Sequence, residues 1–428
     1  MRRMDKKREQ LEQTSKLVLL TSLLGMVALV AGLVLLIESL SGQSLEHLRA
    51  APGQQIVTEQ PQKVRIMASG DLLYHDLLYM GARKEDGSYD FEENYQYVKS
   101  WLAKADLALG DFEGTIYPDS YLAGYPLFNA PEEVTKAIKD AGYDVLDLAH
   151  NHILDSGLAG LQSTVAAFDK QGLATVGVYA KQERQKAPLL IKEIKGIKIA
   201  ILAYAYGFNG LEETLSQEDY DHYLSDMNED KIKAELERAE KEADITLVMP
   251  QMGNEYQLEP TDDQISLYHK MIDWGADVIF GGHPHVVEPA EVVTKDGQQK
   301  LIIYSMGNFL SNQRIETMEG VDNASWTERG VLMDVTIEKL GSKTVIQSAQ
   351  AHPTWVNRTE KGYLTEEGFP AYLYQTYVLE DFIEGGLHRE RLNLDLQERV
   401  DQAYSQMREH VGLEWPHSKK ISSQGSGN

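Results

Sequence analysis

Residues 275–289 read GADVIFGGHPHVVEP and place two histidines, His283 and His285, one residue apart just after a short apolar run. The run 278–280 predicts a buried strand of an α/β sheet, and the glycine pair behind it allows a sharp turn at the strand's carboxyl end. Open α/β sheets bind ligands at the carboxyl ends of their strands. We therefore expect the two histidines to belong to a site.

Six more apolar runs predict strands, and helical patterns at 167–172, 222–242 and 261–275 lie between several of them. This alternation is typical of an α/β fold whose strands are largely parallel. Residues 330–356 alternate apolar and polar positions around Gly341-Ser342, which predicts an antiparallel hairpin. The six runs are residues 64–69, 105–110, 143–149, 198–205, 243–250 and 300–306.

Composition excludes several classes of protein. The 428 residues include no cysteine, which rules out disulfides, thiolate metal sites and cysteine nucleophiles. The formal net charge of −25 disfavours binding of nucleic acid or of an anionic membrane over a broad face. An acidic protein can still attract an anion through a bound metal, so we expect no nucleic-acid partner but keep local anion binding open.

The amino terminus predicts a membrane anchor. Residues 1–16 carry six Lys or Arg and precede the uncharged apolar run 17–37, which is long enough to span a bilayer. The positive-inside rule places the basic tail in the cytoplasm and everything after Glu38 outside the cell membrane. A cleaved signal peptide is the alternative, but the run is longer than a usual signal core and lacks an Ala-x-Ala site.

The rest of the chain divides into a spacer, a folded body and a carboxyl-terminal extension. Residues 38–62 are polar and contain Gly and Pro, as in a linker, and the body takes up 63–358. Residues 359–415 predict a helical extension that packs on the domain or, alternatively, binds a membrane-embedded synthase. The tail 416–428 has the composition of a disordered segment.

Polar side chains follow nearly every predicted strand, and their convergence on one sheet edge predicts a metal site. Carboxylate, imidazole and amide ligands in this mixture suit Mn, Fe, Zn or Mg, and more than four of them indicate one or two ions. The proline between His283 and His285 allows each ring to face a different ion. The side chains in question are Asp71, His75, Asp111, Glu113, His150, Asn151, His152, Asp155, Gln251, Glu255, His283, His285 and Asn308.

Six stretches of the chain, in this order and spacing, resemble the CapA family of capsule and poly-γ-glutamate synthesis proteins, a branch of the calcineurin-like metallophosphatase superfamily. The resemblance covers about residues 63–352. The stretches are SGDLLYHD (69–76), GDFEGTI (110–116), LAHNHILDSGLAGL (148–161), MGNEYQLEPTDDQ (252–264), GADVIFGGHPHVVEP (275–289) and IIYSMGNFLSNQ (302–313).

The resemblance implies a four-layer αββα sandwich, preceded here by one transmembrane helix, with its metal site at the sheet edge. It implies that Asp71 binds the first ion, that Glu113 stands where the superfamily has its bridging acid, and that Asn151 binds the second ion. His283 and His285 complete the two coordination shells. His152 and the neighbouring Asn151 are the expected catalytic residues, with His152 as the acid or orienting group.

Four other residues have weaker predicted roles. His75 is a doubtful ligand, because it lies four residues beyond Asp71 and the superfamily's Asp-x-His is missing. Gln251 is also doubtful, since the family usually has a histidine there and a glutamine oxygen is a weaker donor to transition metals. Asn308 and Glu255 are candidate substrate-binding residues.

Two functional hypotheses remain at this stage. The first is a membrane-anchored extracellular hydrolase of capsule or poly-γ-glutamate synthesis, acting on a phosphoester, ester or amide of an envelope polymer through its metal site. The second is a non-catalytic metal-binding subunit of a membrane polymer synthase. Both predict the same partners, an anionic envelope polymer or its precursor and membrane-embedded synthase subunits.

Overall fold

The computed structural model of the protein describes residues 60–416. Its strands are β1 Gln62–Leu73, β2 Leu107–Glu113, β3 Val145–Asp147, β4 Ala174–Val176, β5 Leu190–Ile194, β6 Ile197–Ala205, β7 Ile245–Gln251, β8 Val278–Phe280, β9 Ala290–Lys295, β10 Gln298–Ile303, β11 Asn308–Leu310, β12 Arg329–Leu340, β13 Lys343–Leu364 and β14 Pro370–Val378. Its helices are α1 Asp76–Ala82, α2 Lys99–Leu102, α3 Glu133–Ala141, α4 Gly157–Lys170, α5 Gln217–Tyr223, α6 Glu229–Glu242, α7 Asp262–Trp274 and α8 Leu394–Val411.

The strands form two mixed sheets, so the fold is a mixed α/β sandwich. The first sheet has the order β14-β13-β12-β1-β2-β3-β4, with β11 also paired to β1, and the second has the order β5-β6-β7-β8-β10-β9. Parallel pairing runs from β1 to β4, from β1 to β11 and from β6 to β10, while β5, β9, β12, β13 and β14 pair antiparallel. The expectation of largely parallel strands is therefore correct for these parallel segments and wrong for the antiparallel strands.

The second sheet is apolar on both faces, which explains its uninterrupted apolar runs. Along β6, Ile199 and Ile201 face the main core, while Ala200 and Leu202 pack with helices α6 and α7 on the opposite face. Period-two alternation within a wholly apolar strand allows such two-sided burial. The α7 helix begins with a capping box formed by Thr261 and Gln264, which satisfies its first amide groups.

Helix α4 packs against the first sheet. Its Phe168 ring lies 5.0 Å from the ring of Phe112 on β2, in an edge-to-face arrangement.

The predicted hairpin around Gly341-Ser342 is present as β12 and β13, with Leu340 paired to Lys343. Gln251 at the end of β7 and Gly282 after β8 both approach Asp111 on β2, so the carboxyl ends of strands from the two sheets lie side by side.

The predicted helical extension 359–415 is wrong for its first part. Strand β13 continues to Leu364, and after a turn the chain returns as β14, which pairs with β13 as an antiparallel edge strand. The outer arm of this hairpin is charged and exposed, so it has no apolar period by which a strand is recognised. Helix α8 confirms the second part of the extension.

Several predictions concern residues outside the described range. These are the cytoplasmic tail 1–16, the transmembrane helix 17–37, almost all of the linker 38–62, and the tail 416–428 beyond its first residue. Between residues 60 and 416, no helix combines the length and the apolar character needed to cross a membrane. The membrane anchor therefore stays a prediction.

Candidate metal centre

Four polar residues lie side by side across neighbouring strands of the first sheet. In the strand register, Asp71 on β1 stands between Asn308 on β11 and Asp111 on β2, and Asp111 stands next to Asp147 on β3. All four side chains are buried. Parallel pairing brings residues from distant parts of the chain into this row, which places three carboxyl groups at adjoining positions.

Three buried residues come close enough together to hold one ion. Ligand atoms of Asp71, Glu113 and His285 all lie within 4.8 Å of one another. The Nδ1 atom of His285 is 2.9 Å from Asp71 Oδ2 and 3.8 Å from Glu113 Oε2. The structure thus brings together three of the predicted metal ligands, from β1, β2 and the loop after β8.

The loop after β8 owes its path to its two glycines. A Cβ at Gly281 would lie 1.9 Å from the carbonyl oxygen of Tyr304, and one at Gly282 would lie 3.0 Å from Asp111 Oδ2. His283 and His285 then take positive φ values of 94° and 58°, which non-glycine residues rarely adopt. Such strained positions cluster at functional sites, and here the His285 ring lies beside the carboxylates while the His283 ring lies near that of His285.

His283 faces the same space as His285 but from the side of an exposed tyrosine. Its ring centroid is 6.0 Å from that of His285 and 4.5 Å from that of Tyr206. Burial lowers the pKa of His283 to about 3, and the neighbouring His285 and His152 contribute to this lowering. A neutral imidazole is the form that binds metals.

Asn151 and His152 form the other side of the site. Asn151 Nδ2 donates to Asn209 Oδ1 at 3.3 Å, which leaves the Asn151 carbonyl oxygen available as a ligand. The Nδ1 atom of His152 is 2.7 Å from Asp155 Oδ2, and that oxygen also accepts the amide hydrogen of Phe128. Asp155 therefore fixes the orientation of the His152 ring.

Gln251 joins the two sheets inside the site. Its Nε2 donates to Asp111 Oδ2 at 3.0 Å, while its Oε1 is buried without a hydrogen-bond partner among the described residues. The side chain therefore lies where a ligand is needed. Its amide gives a neutral donor to a buried carboxylate and one free oxygen for a cation.

The three remaining predicted site residues lie at different depths. Burial, together with the charges of nearby His285 and His152, lowers the pKa of His75 to about 3. Asn308 is fully buried and its Nδ2 donates to Gln313 and to the Thr327 carbonyl.

Glu255, the last of the three, is exposed beside the site. Its charge acts on both Glu113 and His285. A surface position near the ligands agrees with a substrate-binding role for Glu255, which stays a prediction.

The buried carboxyl groups of the site have raised pKa values, and a bound cation would stabilise their charged form. Burial raises the pKa of Asp111, Glu113 and Asp147 well above the usual range, and their mutual charge adds to this effect. Burial opposes the charge of His285, yet Glu113 and Asp71 raise its pKa to about 10. Crowded buried carboxylates of this kind are stabilised by protons or by a metal ion.

The free polar atoms fit a divalent ion. Buried unpaired polar atoms are rare in folded proteins, because each costs free energy. Here they gather in one place and form a mixture of carboxylate, amide and imidazole donors that suits borderline or hard divalent metals. Among residues 60–416 the atoms at the site without a hydrogen-bond partner include Asp71 Oδ1, Asp111 Oδ1, both oxygens of Glu113, Asp147 Oδ2, Asn151 Oδ1, Gln251 Oε1 and His283 Nδ1.

Some site residues are not among the predicted ligands. Asp111 is among the side chains that the sequence predicts to converge on the site but is given no ligand role there, although it follows the same apolar run as Glu113. Asp147 lies within the third predicted strand and is not predicted at the site. Asn209 and Tyr206 lie in the loop after β6. No site residue is predicted from the sequence after this strand. The same rule, applied to every strand end, identifies this loop.

The protein is thus a mixed α/β sandwich with a buried cluster of carboxylate and imidazole groups, which could hold a metal ion, at the ends of its strands. Residues 65–313, more than half of the chain, match the family described as bacterial capsule synthesis protein PGA_cap. The chain belongs to this family.

Relatives with assigned names agree with this assignment. The PGA biosynthesis protein CapA of Bacillus subtilis is 32% identical over 231 residues, which cover 51% of this chain and 57% of that protein. The capsule biosynthesis protein CapA of Bacillus anthracis is 30% identical over 234 residues, covering 53% and 55%. The chain thus spans somewhat more than half the length of these relatives.

Among solved structures, the calcineurin-like phosphoesterase YfkN from Bacillus subtilis is similar at 15% sequence identity and a TM-score of 0.42. The match covers 69% of this chain and 91% of that one.

Proposed function

We propose that the protein is a membrane-anchored, extracellular member of the capsule or poly-γ-glutamate synthesis machinery and a metal-dependent hydrolase. The observation that carries the proposal is the buried group of Asp71, Glu113 and His285, whose ligand atoms lie within 4.8 Å of one another. The bond it hydrolyses belongs to a phosphoester or, failing that, to an ester or amide of an envelope polymer.

The names of the relatives support the biological setting. Two proteins of Bacillus with about the same fraction of their length matched are named for PGA or capsule biosynthesis. The basic tail and apolar run at 1–37 support an anchor with the domain outside the cell. The partners we propose are an anionic envelope polymer or its precursor and the membrane-embedded synthase subunits.

The arrangement of layers supports a phosphatase-like architecture. We infer a four-layer αββα order in which α4 forms one outer layer and α6 with α7 forms the other. Phe168 of α4 contacts the first sheet, and the apolar face of α6 and α7 covers the second. In this order the ligand-bearing strand ends lie at one edge of both sheets.

The chemistry follows from the donors at the site. Bound divalent ions would supply Lewis-acid activation of the attacking water and of the scissile group. Asp71, Glu113, His283 and His285 would hold them, together with Asn151 and Asp111. His152, oriented by Asp155, gives a proton to the leaving oxygen as the bond between phosphorus and that oxygen breaks.

The test uses the full chain purified in detergent and the phosphodiester bis(p-nitrophenyl) phosphate. We expect hydrolysis with added Mn that stops when a chelator is added. Glu113→Gln should lower the rate by about 100-fold or more, because a first ligand is lost. The matched control is Glu193→Gln, which makes the same charge change at an exposed position beside Lys198, at the opposite end of β6. Equal rates in wild type and Glu113→Gln would contradict the proposal.

One observation favours a second candidate, a metal-binding subunit without turnover. Gln251 offers an amide where the family usually has an imidazole, and part of its hydrogen-bonding capacity is used on Asp111. Tight metal binding by the wild type, combined with no hydrolysis of phosphodiesters, esters or amides, would support this second function.

A further inference from the structure

The loops around the metal centre contain almost no positive charge. We call these segments the mouth loops: they follow β1, β2, β3, β6, β7, β8 and β11 and comprise residues 74–75, 114–132, 148–156, 206–216, 252–261, 281–289 and 311–328. Arg314 is the one Lys or Arg in all of them. Proteins that bind polyanions line the path with such residues, so their absence from these loops is informative.

Arg314 does not supply positive charge to a ligand at the mouth loops. Its side chain is 3% exposed, its Nε is 2.6 Å from Glu316 Oε2, and its Nη2 is 3.1 Å from Glu328 Oε2. Its Nη1 donates to the carbonyl oxygen of Val356 at 3.0 Å. The guanidinium is therefore buried and paired, and it offers no charge to a ligand.

Tyrosine rings stand at the entrance instead. Tyr206 is 47% exposed and lies against His283, with ring centroids 4.5 Å apart. Tyr125 is 79% exposed and lies 6.5 Å from Phe128, whose ring is 4.8 Å from that of His152. Aromatic faces attract cations, above all ammonium groups.

A third tyrosine at the entrance, Tyr256, is held in place by several hydrogen bonds. Its amide donates to the Pro284 carbonyl at 2.8 Å, and its own carbonyl accepts from Asn323 Nδ2 at 2.8 Å. Its ring centroid is 6.2 Å from that of His285, and Gln313 Nε2 contacts its hydroxyl at 3.4 Å. The ring is thus tied directly to the histidine loop.

Tyr256 also lines a small acidic cavity next to the metal centre. The cavity measures about 530 Å³, and three exposed carboxylates line it: Glu255, Glu259 and Asp322. This volume is within the range of small-ligand sites. Divalent ions at the centre would neutralise the negative charge of the buried acids. The three surface carboxylates lie outside this ligand cluster, so the ions would not neutralise them.

We propose that the substrate carries an ammonium group beside the bond that is hydrolysed, and that this group occupies the cavity lined by Tyr256, Glu255, Glu259 and Asp322. A run of carboxylates such as a polyglutamate chain would be repelled there, and a neutral group would gain nothing from the three acids. The proposal rests on the hydrolase function proposed above. An anionic polymer is still compatible with it if the reacting segment is an amine-bearing precursor or junction.

The test compares two phosphodiesters that differ only in the ammonium group, p-nitrophenyl phosphorylcholine and ethyl p-nitrophenyl phosphate. Water adds to phosphorus and the bond to nitrophenolate breaks in both, giving phosphorylcholine or ethyl phosphate. With full-length protein and Mn at low salt, we expect kcat/KM to favour the choline ester by about tenfold, the size of a cation–π contact with added charge attraction.

Variants test which residues cause the preference for the choline ester. Glu255→Gln, Glu259→Gln and Asp322→Asn combined should reduce the ratio of the two kcat/KM values to near one, and Tyr256→Leu should reduce it severalfold. Glu193→Gln, with the same kind of charge change at the far end of the sheet, should keep the tenfold ratio. High salt should lower the ratio in the wild type.

Binding separates this proposal from the hydrolase proposal. If neither ester is hydrolysed but calorimetry with Mn shows phosphorylcholine binding more tightly than ethyl phosphate, and the triple variant removes the difference, the ammonium site stands and the hydrolase function falls. Equal kcat/KM values for the two esters, or equal binding, would overturn the ammonium site while leaving the hydrolase function intact.

Discussion

We propose that Gln251 determines how many ions the candidate metal centre holds tightly. Its amide nitrogen donates to Asp111 at 3.0 Å and its oxygen is free, so the residue already stands inside the ligand set. An amide oxygen binds Mn or Zn less strongly than an imidazole nitrogen does. The natural chain should therefore hold its second ion weakly, or select a harder ion such as Mg.

At this position we predict that Gln251→His raises the affinity for Mn or Zn, because the new imidazole replaces the weaker donor at an unchanged place. Calorimetry should show a second equivalent of metal in the variant only. Gln251→Leu, of similar size but with no donor atom, is the control and should bind no second ion. Two tight ions already present in the wild type would show that the glutamine is not a weak point.

At the residue scale, the sequence predicts the ligands that follow an apolar run, because a polar residue at a strand end is visible in the pattern. Asp71, Glu113 and His285 are found in this way and the structure brings them together. The row of Asn308, Asp71 and Asp111 depends on strand register, and register across non-consecutive strands cannot be deduced from one sequence. The cluster around His283 is likewise set by tertiary packing.

At the scale of elements, the loop after β8 depends on its glycines for a close backbone approach. We predict that Gly282→Ala lowers the metal affinity by about 10–100-fold with the fold retained, because the new methyl group would press on Asp111 and Asp71 at 3.0 and 3.3 Å. Gly207→Ala, whose methyl group would meet only Glu212 at 3.9 Å, is the matched control. Unchanged affinity in Gly282→Ala would argue against tight packing of this loop on the carboxylates.

A second prediction at this scale concerns the ion pairs of His352, which link β12, β13 and the segment after β14. His352 Nδ1 lies 2.9 Å from Glu380 and its Nε2 lies 3.6 Å from Asp334. Burial disfavours the charged ring, but the two carboxylates raise its pKa to about 9. Because the folded pKa exceeds the unfolded one, the stabilisation is complete below pH ~6.5 and is lost as the pH rises through about 9.

Denaturant unfolding at the two pH values tests this link. The wild type should lose up to about 3 kcal/mol more than His352→Gln on going from mildly acid to alkaline pH. Taking the difference between the two proteins cancels the titration of the metal centre, which both share. An identical pH dependence in the wild type and in His352→Gln would refute the ion-pair link.

Strands and helices with strong apolar periods are predicted correctly from the sequence, as β6 to β8 and α6 to α7 show. The hairpin arm of β13 and β14 is not, because residues 358–364 are mostly exposed, lack an apolar period and are held as a strand by pairing with β14. Short edge strands such as β4 fail for the same reason, since three residues give too little pattern.

At the scale of the whole molecule, the residues of the candidate metal centre come together only when both sheets are assembled. Asp71 and Glu113 come from the first sheet, while Gln251 and His285 come from the second and its loops. The chain therefore has to bury a large core before it can bind an ion, and metal binding should in turn stabilise the folded state.

The topology of the chain gives a further prediction at this scale. The basic tail 1–16 and the apolar run 17–37 predict an anchor with the folded body outside the cell. Protease added to intact protoplasts should therefore digest the domain, while a cytoplasmic marker protein stays intact. Full protection of the domain under those conditions would reverse the predicted orientation.

Anomalous diffraction tests the central claim most directly. Crystals of the protein grown with Mn, with data collected at energies on either side of the Mn absorption edge, should show a strong anomalous peak among Asp71, Glu113 and His285, and the peak should disappear in Glu113→Gln. A second, weaker peak beside Asn151 and Gln251 would agree with a weak second site. No peak at this position in the wild type, or peaks at surface carboxylates only, would contradict the assignment of a buried metal centre.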